Sequence, residues 1–141
     1  MPQVRSGLPL ARKEIASWAI ATGAWKPSRA SLLAQCAEDM ARAMREEHIT
    51  DKQGRRVRPK HAARFGEGAK QRTLWADIRT ADPMHMEVAF KQRREQIVGD
   101  CRQLKLDVDS YNDNAGSGNL IQLDFDFNQD LAELEALDTA V

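Results

Sequence analysis

Cysteine is scarce in this chain of 141 residues: Cys36 and Cys101 are the only two, and they stand far apart. That excludes a disulfide-stapled scaffold, and it excludes the paired spacing a structural zinc site requires. Both fall in apolar helical patterns, which predicts small core residues in a reducing compartment. Aromatics are lean at 6% and do not interleave with the basic residues, which gives a stacking platform for single-stranded nucleic acid little support. No apolar run approaches membrane-spanning length, and "MPQVRSGLPLARKE" lacks the apolar core of a signal peptide; cytoplasm, without membrane association, is the expectation.

Catalytic signatures are absent as well. His48, His61 and His85 are scattered, and the chain holds no Gly-rich phosphate loop, G-x-S-x-G elbow or H-E-x-x-H helix. Asp124, Asp126, Asn128, Asp130 and Glu135 follow the ligand spacing of a calcium loop, yet Gln129 stands where that loop needs glycine for its bend. The expectation is a protein that is not an enzyme and takes no cofactor and no metal.

The most informative absence is of positive charge near the end. From Asp107 onward there are nine carboxylates and not one Lys or Arg. Residues 1–80 carry 16 Lys and Arg against 8 Asp and Glu, whereas residues 81–141 carry 5 against 13, so a net charge of zero hides halves of +8 and −8. Opposed halves of this kind point to a polyanion-binding part joined to an acidic segment, which could mask the basic face electrostatically.

What is present is mainly helical punctuation. Ala11, Ile15, Trp18, Ala19 and Thr22 recur at helical spacing after Pro9, with Gly23 as the stop. Lys26-Pro27-Ser28 restarts the chain, with Ser28 as cap of a second helix whose stripe is Leu33, Cys36, Ala37, Met40, Ala41 and Met44. "HITDKQGRRVR" follows: Ile49-Thr50 and Val57 have strand character, and Gly54 supplies the positive φ of a tight hairpin. A joint over 65–81 contains the glycine-rich "FGEGAKQ". Asp82-Pro83 opens a long helix over 82–111, striped by Met86, Phe90, Ile97, Cys101, Leu104, Val108 and Tyr111. Its heptad steps 90, 97, 104 and 111 suit an antiparallel or a parallel coil, against the N-terminal helices or a second copy in a homodimer. "NDNAGSGN" predicts a linker, "LIQLDFDF" a half-buried strand over 121–127, and residues 112–141 as a whole a linker and acidic tail.

The expected fold is therefore mainly α with a small β-hairpin. Helix, break, helix and basic hairpin over residues 1–64 resemble the second half of a winged helix-turn-helix, with "LARKEIASWAIATG", "KPSRASLLAQCAEDMARAMREE" and "HITDKQGRRVR" as first helix, recognition helix and wing. The chain is also similar in general character to small bacterial proteins of mobile elements. The winged-helix resemblance implies double-stranded DNA as partner. The chemistry of the residues agrees: Lys52, Arg55, Arg56, Arg58 and Lys60 put five cations in nine residues, followed by His61 and Arg64. Lys26, Ser28, Arg29 and Ser31 sit at a helix start, where phosphate binds readily. Neutralising about six phosphates would lower affinity roughly a thousandfold from low to moderate salt.

The rival expectation is a protein-binding adaptor using Phe90, Ile97, Leu104 and Tyr111 of the long helix with Leu123, Phe125 and Phe127. "QRTLW" at 71–75 and "IQLDFDF" at 121–127 resemble the Gln-Leu-x-Leu-Phe peptides that dock on the bacterial replication clamp. Arg72 departs from that pattern in the first.

Overall fold

The computed structural model describes residues 9–115 and 118–139 and divides into two compact units, Met1–Lys60 and His61–Val141. The chain is mainly α with a small β part, as its punctuation predicts, but it holds two small antiparallel hairpins where the sequence led us to expect one.

In the first unit, α1 (Arg12–Ala21) begins where the Glu14 carboxylate accepts the Ala11 N–H at 3.1 Å. It ends where the Thr22 N–H and hydroxyl both donate to the Trp18 carbonyl, at 2.9 and 2.8 Å, with Gly23 following at φ +73°. Helix α2 (Arg29–Glu46) is capped reciprocally: the Ser31 N–H donates to Ser28 Oγ at 3.0 Å, and the Ser28 N–H donates to Ser31 Oγ at 2.7 Å. Two donors otherwise left open at a helix start are thereby satisfied. Strands β1 (Ile49–Thr50) and β2 (Arg56–Val57) then pair antiparallel, Ile49 opposite Val57 and Thr50 opposite Arg56.

Neither helix of this unit has a buried residue. Only Ala41 and Met44 of the expected α2 stripe are half-buried, whereas Leu33, Met40 and Cys36 are exposed. The expectation of Cys36 as a core residue is corrected: helical periodicity marks a face, but a face is buried only where another element meets it.

In the second unit, β3 (Lys60–Phe65, its first residue at the unit boundary) pairs with β4 (Arg72–Asp77). The turn between them carries Gly66 at φ +90° and a single 3-10 turn, Gly68–Lys70. The expected joint over 65–81 thus contains a strand. Helix α3 (Pro83–Asn114) opens on Asp82, whose carboxylate accepts the Met84 N–H at 2.9 Å, with proline in its first turn. At 32 residues it is about 48 Å long. It runs three residues past Tyr111, so the expected linker starts late; Asn114 stays helical and returns its side-chain amide to the Ser110 carbonyl at 2.9 Å. Residues 116–117 of that linker lie outside the described residues. Helix α4 (Asn128–Thr139) closes the described chain.

The core of this unit is where β3 meets the first turns of α3. Ala63 and Ala89 are 0% and 3% exposed and His61 is 8% exposed. The His61 ring stands edge-on to Phe90 at 5.2 Å between centroids, and Phe65 lies 5.8 Å from the His85 ring. His85 Nε2 donates to the His61 carbonyl at 3.0 Å, so this histidine faces the strand. Gln92 completes the dock by bridging the backbone of Arg64: its Oε1 accepts the N–H at 2.7 Å and its Nε2 donates to the carbonyl at 2.9 Å. A carboxamide thus takes the place a neighbouring strand would fill.

A second carboxamide repeats this farther along. Asn112 accepts the Ile121 N–H at 3.1 Å and donates to its carbonyl at 2.9 Å. Residues 119–127 form no strand, which corrects the expectation for 121–127. The backbone partner of Ile121 is a helix side chain.

The two hairpin glycines differ in a testable way. A Cβ on Gly66 would lie 2.5 Å from the Lys70 carbonyl oxygen, whereas one on Gly54 (φ +85°) would meet nothing within 4 Å. Gly54→Ala should cost about 1–2 kcal/mol of local stability, the left-handed penalty alone. Gly66→Ala should cost more and open the β3–β4 pairing; native-state hydrogen exchange of the two hairpins would measure both.

Candidate nucleic-acid interface

The tip of the first hairpin is built around Asp51. Its Oδ1 accepts the Gln53 and Arg55 N–H groups at 3.0 and 2.8 Å, and its Oδ2 accepts Arg55 Nε at 2.8 Å. Backbone bonds from the Gly54 N–H to the Asp51 carbonyl and from the Asp51 N–H to the Arg55 carbonyl close the turn at 3.0 and 2.9 Å. The Arg55 backbone and guanidinium donors, with the Gln53 N–H, hold the Asp51 carboxyl below the usual carboxylate range. Arg55 is therefore committed to the turn: its charge is matched by Asp51, and Arg55 Nη2 also reaches Gln53 Oε1 at 3.3 Å.

This redistributes the expected cations. Lys52 at the tip and Arg56 on β2 are exposed, Arg56 sharing its face with Thr50, while Ile49 and Val57 turn their half-buried side the other way. Arg58 and Lys60 are half-buried on either side of the buried Pro59. His61 lies inside the second unit against Phe90, which withdraws it from any surface site. Arg64 has an exposed side chain, and its backbone is bound by Gln92.

At the start of α2 the hydroxyls of Ser28 and Ser31 serve each other's backbone. Lys26 and Arg29 beside them are exposed. Farther along the helix Arg45 pairs with Glu38 at 2.9 Å and Arg42 with Asp39 at 3.7 Å. Within the first unit, then, Lys26, Arg29, Lys52 and Arg56 are expected site residues that remain exposed and are not bound to a carboxylate.

Asp51 went unassigned in the sequence pattern, although aspartate opening a D-x-x-G turn is a known backbone-binding arrangement. The protein-interaction residues are also placed. Phe90, Ile97, Leu104 and Tyr111 of α3, with Leu123 and Phe127, are exposed, and Phe125 is half-buried beside the Phe127 ring. The segment lines a cavity of about 400 Å³ against α3 at Lys105, Val108, Asp109 and Asn112. Among the described residues no group of three or more His, Cys, Asp or Glu could hold a metal ion, and no helix is long and apolar enough to cross a membrane.

The lowered Asp51 pKa fixes a pH dependence. The carboxylate's contribution to the hairpin is fully present above its unfolded value near 3.8 and is lost as pH falls through the lower folded value. The Gln53 and Arg55 amide resonances should therefore titrate below pH 3.8, and Asp51→Asn should abolish that titration while loosening the turn. No protein-family model, curated protein or solved structure matches this chain.

Proposed function

We propose that the first unit binds the phosphate backbone of double-stranded DNA, as a non-enzymatic and regulatory protein, in the manner of a winged helix. The element order α1, α2, β1, β2 supports this reading, with β1–β2 as the wing. The observation that carries it is charge placement. Met1–Lys60 holds 12 Lys and Arg against 6 Asp and Glu, and within it Lys52 and Arg56 project from a turn already closed by the Asp51–Arg55 pair. A rigid tip with outward cations presents them to phosphates at little entropic cost, while Lys26 and Arg29 offer a second set at the start of α2.

With about four such cations engaged, rather than six, affinity should fall about a hundredfold between 50 and 200 mM salt. Arg56→Gln should reduce the salt slope by about one. The neutral replacement of the turn pair, Asp51→Asn with Arg55→Gln, should leave the slope unchanged. Fluorescence anisotropy on a labelled duplex would measure each; no binding at low salt, or a slope indifferent to Arg56→Gln, would sink the proposal.

A second reading rests on a separate observation. Ile97, Leu104, Tyr111, Leu123 and Phe127 leave apolar surface exposed on the second unit, as an adaptor for another protein would. Residues 122–127 are committed to neither a helix nor a sheet, which suits a clamp-type docking peptide. Loss of binding to a purified bacterial sliding clamp on Leu123→Ala with Phe127→Ala, unaffected by Arg56→Gln, would favour the adaptor.

A further inference from the structure

The second hairpin, β3–β4, carries cations of its own. Residues of a strand alternate between its two sides. His61 and Ala63 are buried, and the rings of His61 and Phe65 meet Phe90 and His85, so this side of β3 faces α3. Arg64, between them in the alternation, is exposed on the other side, while Gln92 fixes its backbone through two hydrogen bonds. Across the turn Lys70 and Arg72 are exposed as well. The Lys70 and Gln71 N–H groups donate to the Glu67 and Gly68 carbonyls at 3.0 and 3.1 Å, and the Lys70 carbonyl closes against Gly66, so both cations leave a tightly closed turn.

Three cations thus stand within residues 64–72, and Glu67 is the one carboxylate among them. Residues 61–141 hold 15 Asp and Glu against 9 Lys and Arg. Asp77 and Asp109 are taken by Arg79 and Lys105, at 2.6 and 2.8 Å. Among the described residues no carboxylate pairs with Arg64, Lys70 or Arg72. A unit rich in carboxylates that leaves these three cations open offers them to an anion from outside.

We propose that the second hairpin is a second phosphate-binding surface, contacting the backbone of the duplex that the first unit binds. Arg64 and Arg72 present planar forks that suit phosphate oxygens, and Lys70 adds a point charge. The two units are joined without a break between Lys60 and His61, so a duplex held by one hairpin is at high effective concentration for the other. This rests on the DNA-binding reading for its ligand, and the two hairpins are therefore neutralised separately.

Fluorescence anisotropy of the full chain on a labelled duplex, over a salt series, reads the number of phosphates engaged. Three contacts beyond the first unit's four should deepen the loss between 50 and 200 mM salt to roughly several thousandfold. Arg64→Gln with Lys70→Gln and Arg72→Gln should lower the salt slope by about three. Arg64→Lys with Arg72→Lys, which keeps the charge, should preserve most of it; equal loss in this variant would trace the effect to a disturbed hairpin and overturn the proposal. If the neutral triple variant leaves the slope unchanged while Arg56→Gln lowers it, the second surface falls and the first unit's site stands. The converse pattern leaves the second surface standing and removes the first. No binding at low salt overturns both. Labelled poly-glutamate tests the class of anion: if it binds as tightly as the duplex, and the triple variant loses poly-glutamate but keeps the duplex, the surface belongs to an acidic protein segment and the proposal is overturned.

Discussion

The second unit is organised by one docking, that of strand β3 on the first turns of α3. The strand there is short in apolar bulk, and its buried members are Ala63 and His61. Small residues such as Ala63 and Ala89 allow a strand and a helix to approach closely, but they contribute little transfer free energy. The approach is held by polar groups with defined partners: the Gln92 carboxamide on the Arg64 backbone and His85 on the His61 carbonyl. A backbone pair beside a helix would otherwise depend on water, so each such bond contributes on the order of 1 kcal/mol.

The same device governs what α3 leaves open. Gln92 and Asn112 each bind the backbone of one residue outside the helix, Arg64 and Ile121, and both lie off the heptad stripe. The helix is therefore committed on other faces at its two ends and open along the stripe between them. In the first unit the commitment is electrostatic: Asp51 takes Arg55 into the turn, and that choice leaves Lys52 and Arg56 as the cations available to a partner.

Features written in adjacent residues were legible in the sequence. The Ser28 cap, the Asp82-Pro83 start of α3 and the positive φ of Gly54 all follow from local chemistry, and the structure has each where the pattern puts it. The second hairpin was not legible. "KHAARF" lacks the β-branched residues that mark strands, and its state depends on pairing with β4 and on Gln92, 28 positions from Arg64. In 121–127 the alternation did not make a strand: a strand needs another strand, and here Asn112 binds the backbone of Ile121 alone. For the candidate site the basic composition was legible, while its division was not. Which arginine is spent on a turn, and that His61 is interior, depend on contacts that composition does not encode.

Hydrogen exchange of the full chain, with and without a short duplex at low salt, tests the central claim most directly. The account predicts new protection in residues 50–57 and at the start of α2, with the 120–127 segment unchanged. Protection confined to α3 and residues 120–127, or none anywhere, would contradict it and leave the basic hairpin as a solvated edge.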